Sequence, residues 1–417
     1  MSETERSRTT VGVSLGVVLA CVIATMALGA AAKGPCASGE WTDLRQYRRL
    51  CYSDVVPLLD TEQLRGPRLP FLDACEPVEG RNCDEYPVVT MYVMRVASWI
   101  SGDDYAPFFW VNALLLTGFA VAIAVMLSIA NGSRALYFAL APTLLVYGTM
   151  NWDLVAVAFA TAGLLAFFRR RDRGGGVALG LGAATKLYPA LLAVPLVVQR
   201  LRERRPDGAI VLGWTTAGTW LLVNLPFIVI APTAWITFFR FNGERAADFD
   251  SLWYLACRHL EVCPSTRAIN AGSLAIFLGS GAAVWAIKAR RHRDFPRWTL
   301  GLPLLVLFLL SNKVYSPQYG LWLLPWFALA LPRLWIFAAF SVADVAVFVT
   351  RFTWFGRLQG APGASQELFE VMVLLRAAVL LWCVVAWIRR DPEPLEIESR
   401  TQARSGTRAA GTSVVTA

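Results

Sequence analysis

The sequence predicts an all-α, multi-pass integral membrane bundle of about ten spans, with one re-entrant hairpin and a large first extracytoplasmic loop. Three observations carry this. The 417-residue chain is 56% hydrophobic and only 17% charged, where a soluble domain of this length carries about 25% charged residues. Runs of about 20 apolar residues recur along it. Its basic residues sit in short loops between those runs, so a net charge of +9 reflects topology and not nucleic-acid binding.

Residues 11–32 follow Arg6 and Arg8 and form an apolar run too long for a signal-peptide core, so an uncleaved first helix is expected. The polar loop 33–86 comes next. It holds Cys36, Cys51, Cys75 and Cys83, and the acids Glu40, Asp43, Asp54, Asp60, Glu62, Asp73, Glu76, Glu79, Asp84 and Glu85. Most of these acids are expected to serve a disulfide-stapled cap over the bundle. Residues 87–101, interrupted by Arg95, are too short to span and read as a helix on the outer face; with the loop they make up the extracytoplasmic part, 33–105. Spans follow at 106–130, 135–150 and 152–168, with an outer turn at Asn151-Trp152-Asp153.

Residues 175–198 are long enough to cross, at roughly 35 Å, yet arginine clusters flank both ends. A pair of half-helices broken near Tyr188-Pro189, with both ends cytoplasmic, resolves the conflict. Gly176 and Gly180 permit close helix approach. Spans at 208–231, 269–289, 298–312, 318–332, 334–350 and 367–388 complete one transmembrane domain, 1–390, with a second outer loop at 233–268. The polar tail 391–417 reads as disordered and cytoplasmic. Six of the eight cysteines fall in the two outer loops, the expectation for disulfides on an oxidising side. Cys257 and Cys263 would close a small loop. The other four allow three pairings. Cys21 and Cys383 lie inside apolar helices as packing residues.

No soluble-enzyme signature is present, and two histidines, His259 and His292, argue against a histidine-rich metal site. Asp54, after Tyr52-Ser53 and at a membrane surface, has the chemistry of a general base for a hydroxyl. In Asp84-Glu85-Tyr86-Pro87 the acids suit a helix start, with Glu85 and Tyr86 as alternative substrate contacts. Asp153 reads as a helix cap and Trp152 as an interfacial anchor, with Asn151 and Asp153 as alternative pocket residues. An intramembrane lysine is costly, which makes Lys186 a candidate for phosphate binding beside Tyr188; the alternative is an internal salt bridge to Asp344. The turn from Asn312 to Tyr319 concentrates hydrogen-bonding groups in Lys313, Tyr315, Ser316 and Gln318 around a helix-breaking Pro317. In the second loop Arg240 and Arg245 can fork onto phosphate, and Trp253 can stack on a sugar face; surface solvation and an aromatic belt explain them equally well.

These residues also carry a resemblance. Asn151-Trp152-Asp153-Leu154, the basic turn, Gly180-x-Gly182, Thr185-Lys186-Leu187-Tyr188-Pro189, Ser311-Asn312-Lys313 and Tyr315-Ser316-Pro317-Gln318-Tyr319 resemble membrane glycosyltransferases of family 87. Tyr52-Ser53-Asp54 and Glu85-Tyr86-Pro87 fit as well, so the resemblance runs over roughly 45–335. It implies a GT-C fold like that of actinobacterial polyprenyl-phosphate-mannose-dependent mannosyltransferases, and it places the catalytic carboxylate, early in the first outer loop, on Asp54. A single aspartate after Tyr-Ser here replaces an Asp-x-Asp, and the loop is unusually rich in cysteine.

The expectation is therefore an inverting hexosyltransferase. It would move a hexose, mannose foremost, from a polyprenyl-phosphate sugar to a cell-envelope glycolipid or polysaccharide. Asp54 would act as base, and Lys186, Lys313 and an arginine of the second loop would bind the phosphate. No cofactor is required, although a divalent cation bridging phosphate and carboxylate stays open. Two other readings are an arabinofuranosyltransferase with the same donor type and a lipid or solute transporter. Against the transporter stand the large outer loop and the lack of a visible repeat.

Overall fold

The structure is a computed structural model that describes residues 13–76, 83–260, 263–390 and 393–397. Regular structure among the described residues is helical throughout. Among the described residues six helices are long and apolar enough to cross a membrane: Leu15–Cys36, Tyr105–Ala139, Pro206–Ile230, Thr266–Arg291, Leu334–Leu358 and Gln366–Arg389. The chain is thus a multi-pass membrane protein. Large apolar side chains such as Leu114, Leu222 and Val229 point outward, as lipid-facing residues do.

The other four stretches expected to span are shorter or broken. The region 135–150 consists of the pieces Leu136–Ala139 and Pro142–Tyr147. Asp153–Phe168 has 16 residues and Gly301–Ser311 has 11. A tight 3-10 turn, Pro317–Leu323, runs into Leu324–Leu329. Pro142, Pro317 and Pro325 each open one of these pieces, because a residue without an N–H cannot continue the preceding helical ladder. The four stretches lie inside the bundle: Leu144, Leu154, Leu305 and Leu321 are fully buried. Broken backbone at this depth is tolerated because protein covers it.

The segment after Arg171 is a helical hairpin, Asp172–Thr185 and Tyr188–Arg202, broken at Lys186-Leu187 with Pro189 in the first turn of the second arm. Its two ends meet. The buried Arg200 guanidinium donates to Asp172 Oδ1 at 2.6 Å and to the Phe167 carbonyl at 2.6 Å. Gly176 and Gly180 lie flush against Pro206–Ile230; a Cβ on either would sit 1.8 Å from Thr215 Oγ1 or 2.6 Å from the Thr216 carbonyl. Reporter fusions placed after Arg173 and after Arg205 are therefore expected to report the same side of the membrane. Opposite sides would contradict the hairpin.

Disulfides join Cys36 to Cys51, Cys75 to Cys83 and Cys257 to Cys263, while Cys21 and Cys383 are free. Alkylation and mass spectrometry without reduction should find those six cysteines blocked and only Cys21 and Cys383 reactive after denaturation. Free thiols at the six would overturn the framework. The Cys36–Cys51 bridge closes a separation of 15 residues, a loop for which chain entropy alone gives roughly 3 kcal/mol.

Several of the loop's acids do staple the cap, as Asp43 to Arg45, Asp60 to Arg65 and Asp84 to Arg68. Asp84 is thereby not a helix cap; Pro87 occupies the N-cap position of Val88–Ser101. Of the tail expected at 391–417, residues 391–392 and 398–417 lie outside the described residues; within 393–397, Leu395 is buried and Glu393 pairs with Arg134 at 2.8 Å, so this short piece packs on the bundle.

Candidate active site

Residues 51–54 form a strap pinned at every position. Cys51 is held by its disulfide, and the buried Lys33 ammonium donates to the Tyr52 carbonyl at 2.6 Å. Ser53, fully buried, donates to the Thr149 carbonyl at 2.8 Å, and the Asp54 N–H donates to the Met150 carbonyl at 2.9 Å. The strap thus lies along 149–151, and this sets the Asp54 side chain. Asn151 Nδ2 donates to Asp54 Oδ2 at 3.0 Å and to the Tyr86 hydroxyl at 3.0 Å, and Gln318 Nε2 reaches Oδ2 at 3.4 Å. Burial first, and the Asp54 charge second, hold the Tyr52 and Tyr86 hydroxyls protonated well above their usual range. Both phenols therefore remain donors beside the carboxylate.

Asp54 faces a cavity of about 740 Å³. The same wall set includes Glu85, Tyr86, Lys186, Tyr188, Arg245, Lys313, Ser316 and Gln318, all expected from the sequence. Asn151 and Asp153 stand directly behind it. Asp153 is fully buried, accepting from Lys186 Nζ at 3.0 Å and from the Trp322 indole at 2.7 Å. Lys186 is consequently paired with Asp153 and not with Asp344, which lies near Arg376 at 3.6 Å and accepts from Thr143 at 3.0 Å. Asp153 makes no cap bond to its helix. Trp152 is no interfacial anchor either: it is fully buried and its indole donates to Asn112 at 2.7 Å. Tyr188 and Tyr319 stack on Trp322 at 4.2 and 4.1 Å, and the Lys186 ammonium lies 5.2 Å from the Tyr319 ring.

Besides Asn151 and Asp153, three further expected residues do not line the cavity. Arg240 is exposed on the short helix Thr237–Glu244, whose Phe238, Phe241 and Asn242 face the cavity; the helical period turns Arg240 away. Trp253 donates to the Ser311 carbonyl at 2.8 Å and covers Gly272. Tyr315 points into the bundle, with its hydroxyl buried and unbonded and the Arg376 guanidinium 3.8 Å from its ring.

Sequence reasoning missed Asp248, Trp322 and Arg351 on the cavity wall and gave Tyr52, named only as part of the Asp54 motif, no role of its own. Arg351 carried a usable signal, an ion inside an apolar span. Lys313, 4% exposed, donates to the Gly243 carbonyl at 2.9 Å; burial, then the nearby Arg245, lowers its pKa, a cost that a bound anion would remove. Arg245 pairs with Asp248 at 3.0 Å.

Tyr86 is presented by Glu62, whose buried carboxylate accepts the Asp84 N–H at 2.7 Å and the Glu85 N–H at 3.4 Å. Burial raises its pKa from 4.5 to about 8. A raised folded-state value favours the protonated side chain in the folded loop. That contribution is complete below pH 4.5 and is lost as pH rises through about 8. Hydrogen exchange across 83–88 should accelerate over this window beyond its intrinsic base-catalysed rise, and Glu62→Gln should abolish the excess. An unchanged excess in the variant would exclude Glu62 as its source.

Against known sequences, the model of glycosyltransferase family 87 matches residues 85–312. That is more than half of the chain. The protein belongs to glycosyltransferase family 87. No curated protein matches it. Among solved structures it is similar to ArnT from Cupriavidus metallidurans bound to undecaprenyl phosphate, at 14% identity and a TM-score of 0.40, covering 90% of this chain and 76% of that one. Within this family 87 glycosyltransferase the matched segment contains Tyr86, Asn151, Asp153, Lys186, Tyr188 and Arg245. Asp54, Lys313, Gln318 and Arg351 lie outside it and enter the site through the fold. Among the described residues no three His, Cys, Asp or Glu side chains gather as a metal-binding cluster.

Proposed function

We propose that this glycosyltransferase moves a hexose, mannose foremost, from a polyprenyl-phosphate donor to a hydroxyl of a cell-envelope glycolipid or polysaccharide, with inversion, on the extracytoplasmic side. The observation that carries the reading is one cavity with an amide-held Asp54 on one wall and Lys186, Lys313 and Arg245 on others. The acceptor hydroxyl gives its proton to Asp54 as its oxygen attacks the anomeric carbon. The bond from that carbon to the phosphate oxygen breaks, and polyprenyl monophosphate leaves. Both amides donate to Oδ2, which leaves Oδ1 as the proton acceptor. The leaving phosphate gains negative charge as the bond breaks, and preorganised cations favour that change.

The apolar side of the cavity supports a lipid donor. Phe238 and Phe239 also border an adjoining narrow crevice lined by Phe71, Trp220 and Trp235, an apolar aromatic surface suited to contact with a prenyl chain. The disulfides, two of them in the loop that carries Asp54, support an oxidising, extracytoplasmic location. On that topology the chain crosses about ten times, with the Lys186 hairpin re-entering from the cytoplasmic side. Purified protein incubated with labelled polyprenyl-phosphate sugars and a membrane lipid extract should pass label from the mannose donor to a glycolipid. Label passed only from an arabinose donor would replace the sugar. Movement of the donor across a vesicle without transfer would replace the enzyme with a transporter.

A further inference from the structure

The helix Leu334–Leu358 lies wholly outside the segment matched to the family, yet it sends Arg351 to the cavity wall. The Arg351 guanidinium is held from behind. It donates to Asp250 Oδ1 and, at 3.3 Å, to Asp248 Oδ1, with the rings of Phe355 and Phe249 at 5.0 and 5.8 Å. Asp250 in turn lies 3.6 Å from Arg376, and Arg376 lies 3.6 Å from Asp344. This ladder of buried ions descends from the cavity into the bundle, with Arg376 1% exposed and Asp344 fully buried. Ions so deep in an apolar bundle are costly even when paired, and such groups mark functional sites by default.

Its charges balance at three against three: Arg245, Arg351 and Arg376 face Asp248, Asp250 and Asp344. Lys313 stands beside the ladder with a carbonyl for a partner and adds a positive charge on that wall of the cavity, while the acids Asp54 and Glu85 belong to other parts of the wall. A phosphodiester carries one negative charge. The bonds to Asp250 and Asp248 occupy two of the five N–H groups of Arg351, through Nη1 and Nη2.

Resting on the function proposed above, we propose that Arg351 is a further phosphate-binding residue, held toward the cavity by the Asp250–Arg376–Asp344 ladder and completing a cationic clamp with Lys313 and Arg245. Asp248 is the counter-ion that occupies two arms of this clamp. Phosphate competes with it for Arg245 and Arg351, so Asp248 tunes how tightly the lipid phosphate is retained.

Binding of a polyprenyl monophosphate, with the matching unphosphorylated polyprenol as reference, tests this on the full chain in nanodiscs. R351Q should weaken the phosphate lipid about tenfold or more, the loss of one charge-assisted hydrogen bond, and leave the polyprenol unchanged. D248N should act in the opposite direction and tighten the phosphate lipid several-fold, an outcome that a purely structural role for the Asp248 pairs does not produce. R351K keeps the charge without the fork and should fall between wild type and R351Q, so it carries the test if R351Q does not fold. Wild-type affinity in R351Q or R351K, or weakened phosphate binding in D248N, would overturn the clamp while the proposed reaction stands. A wild-type protein that does not distinguish the phosphate lipid from the polyprenol would overturn both.

Discussion

Asp54→Asn is expected to cut sugar transfer by roughly 10²–10⁴-fold, the contribution of a positioned general base, and to leave donor affinity close to wild type. The substitution keeps the size of the side chain and an oxygen able to accept from Asn151 and Gln318, now at 3.0 and 3.4 Å from Oδ2. The strap that holds residue 54 is built from backbone, Ser53 and Lys33 contacts, which the variant does not touch. Loss of rate therefore isolates loss of basicity. Glu85→Gln is the matched control because Glu85 also lines the cavity, and it should keep transfer near wild type. Asp84→Asn is a different experiment. Asp84 is buried and paired with Arg68 at 2.6 Å, so its loss reads on the stability of the cap. Near wild-type transfer by Asp54→Asn together with a dead Glu85→Gln would move the base to the Glu-Tyr-Pro segment.

Much of the fold was legible because hydrophobic runs and arginine placement are one-dimensional signals. The hairpin is the clearest case: a run long enough to cross, arginines at both ends and Pro189 inside admit few other shapes. Hydropathy could not tell a lipid-facing helix from one buried in the bundle, since both are apolar. Residues 135–150 and 318–332, expected as plain spans, are accordingly proline-broken pieces inside the bundle. Within the site, Lys186 announced itself by the cost of a lysine in an apolar setting, but its partner did not, because Asp153 lies 33 residues away on another helix. Asp54 stood out from the other acids of its loop only through resemblance to a family; what distinguishes it physically, bonding to the amides of Asn151 and Gln318 where Asp43, Asp60 and Asp84 pair with arginine, is visible only in three dimensions. Arg240 and Trp253 have chemistry appropriate to the site, but the helical period turns Arg240 away from it and Trp253 sits on a helix, Leu252–His259, that gives no residue to the cavity wall.

Lys186→Met is expected to be damaging twice over, and the two injuries can be separated. The first is to the fold. Lys186 Nζ sits 3.0 Å from Asp153 Oδ2, and Asp153 is fully buried. Removing the lysine strands a buried carboxylate, for which the typical cost is about 3–5 kcal/mol. The Trp322 indole still donates to Asp153 Oδ1 at 2.7 Å, so the real loss should lie toward the lower end. The second injury is to function, because Lys186 is the cation on the wall nearest the Tyr188–Trp322–Tyr319 stack. The pair Asp153→Asn with Lys186→Met removes both charges together, and most of the stability should return, since neither ion is then left alone. Transfer should not return with it if the ammonium binds the leaving phosphate; donor affinity and rate should both stay low. Thermal unfolding in detergent measures the first effect, and donor titration with single-turnover transfer measures the second. Recovery of transfer in parallel with stability would mean that Lys186 serves only to neutralise Asp153, and would leave the phosphate to Lys313 and the arginines.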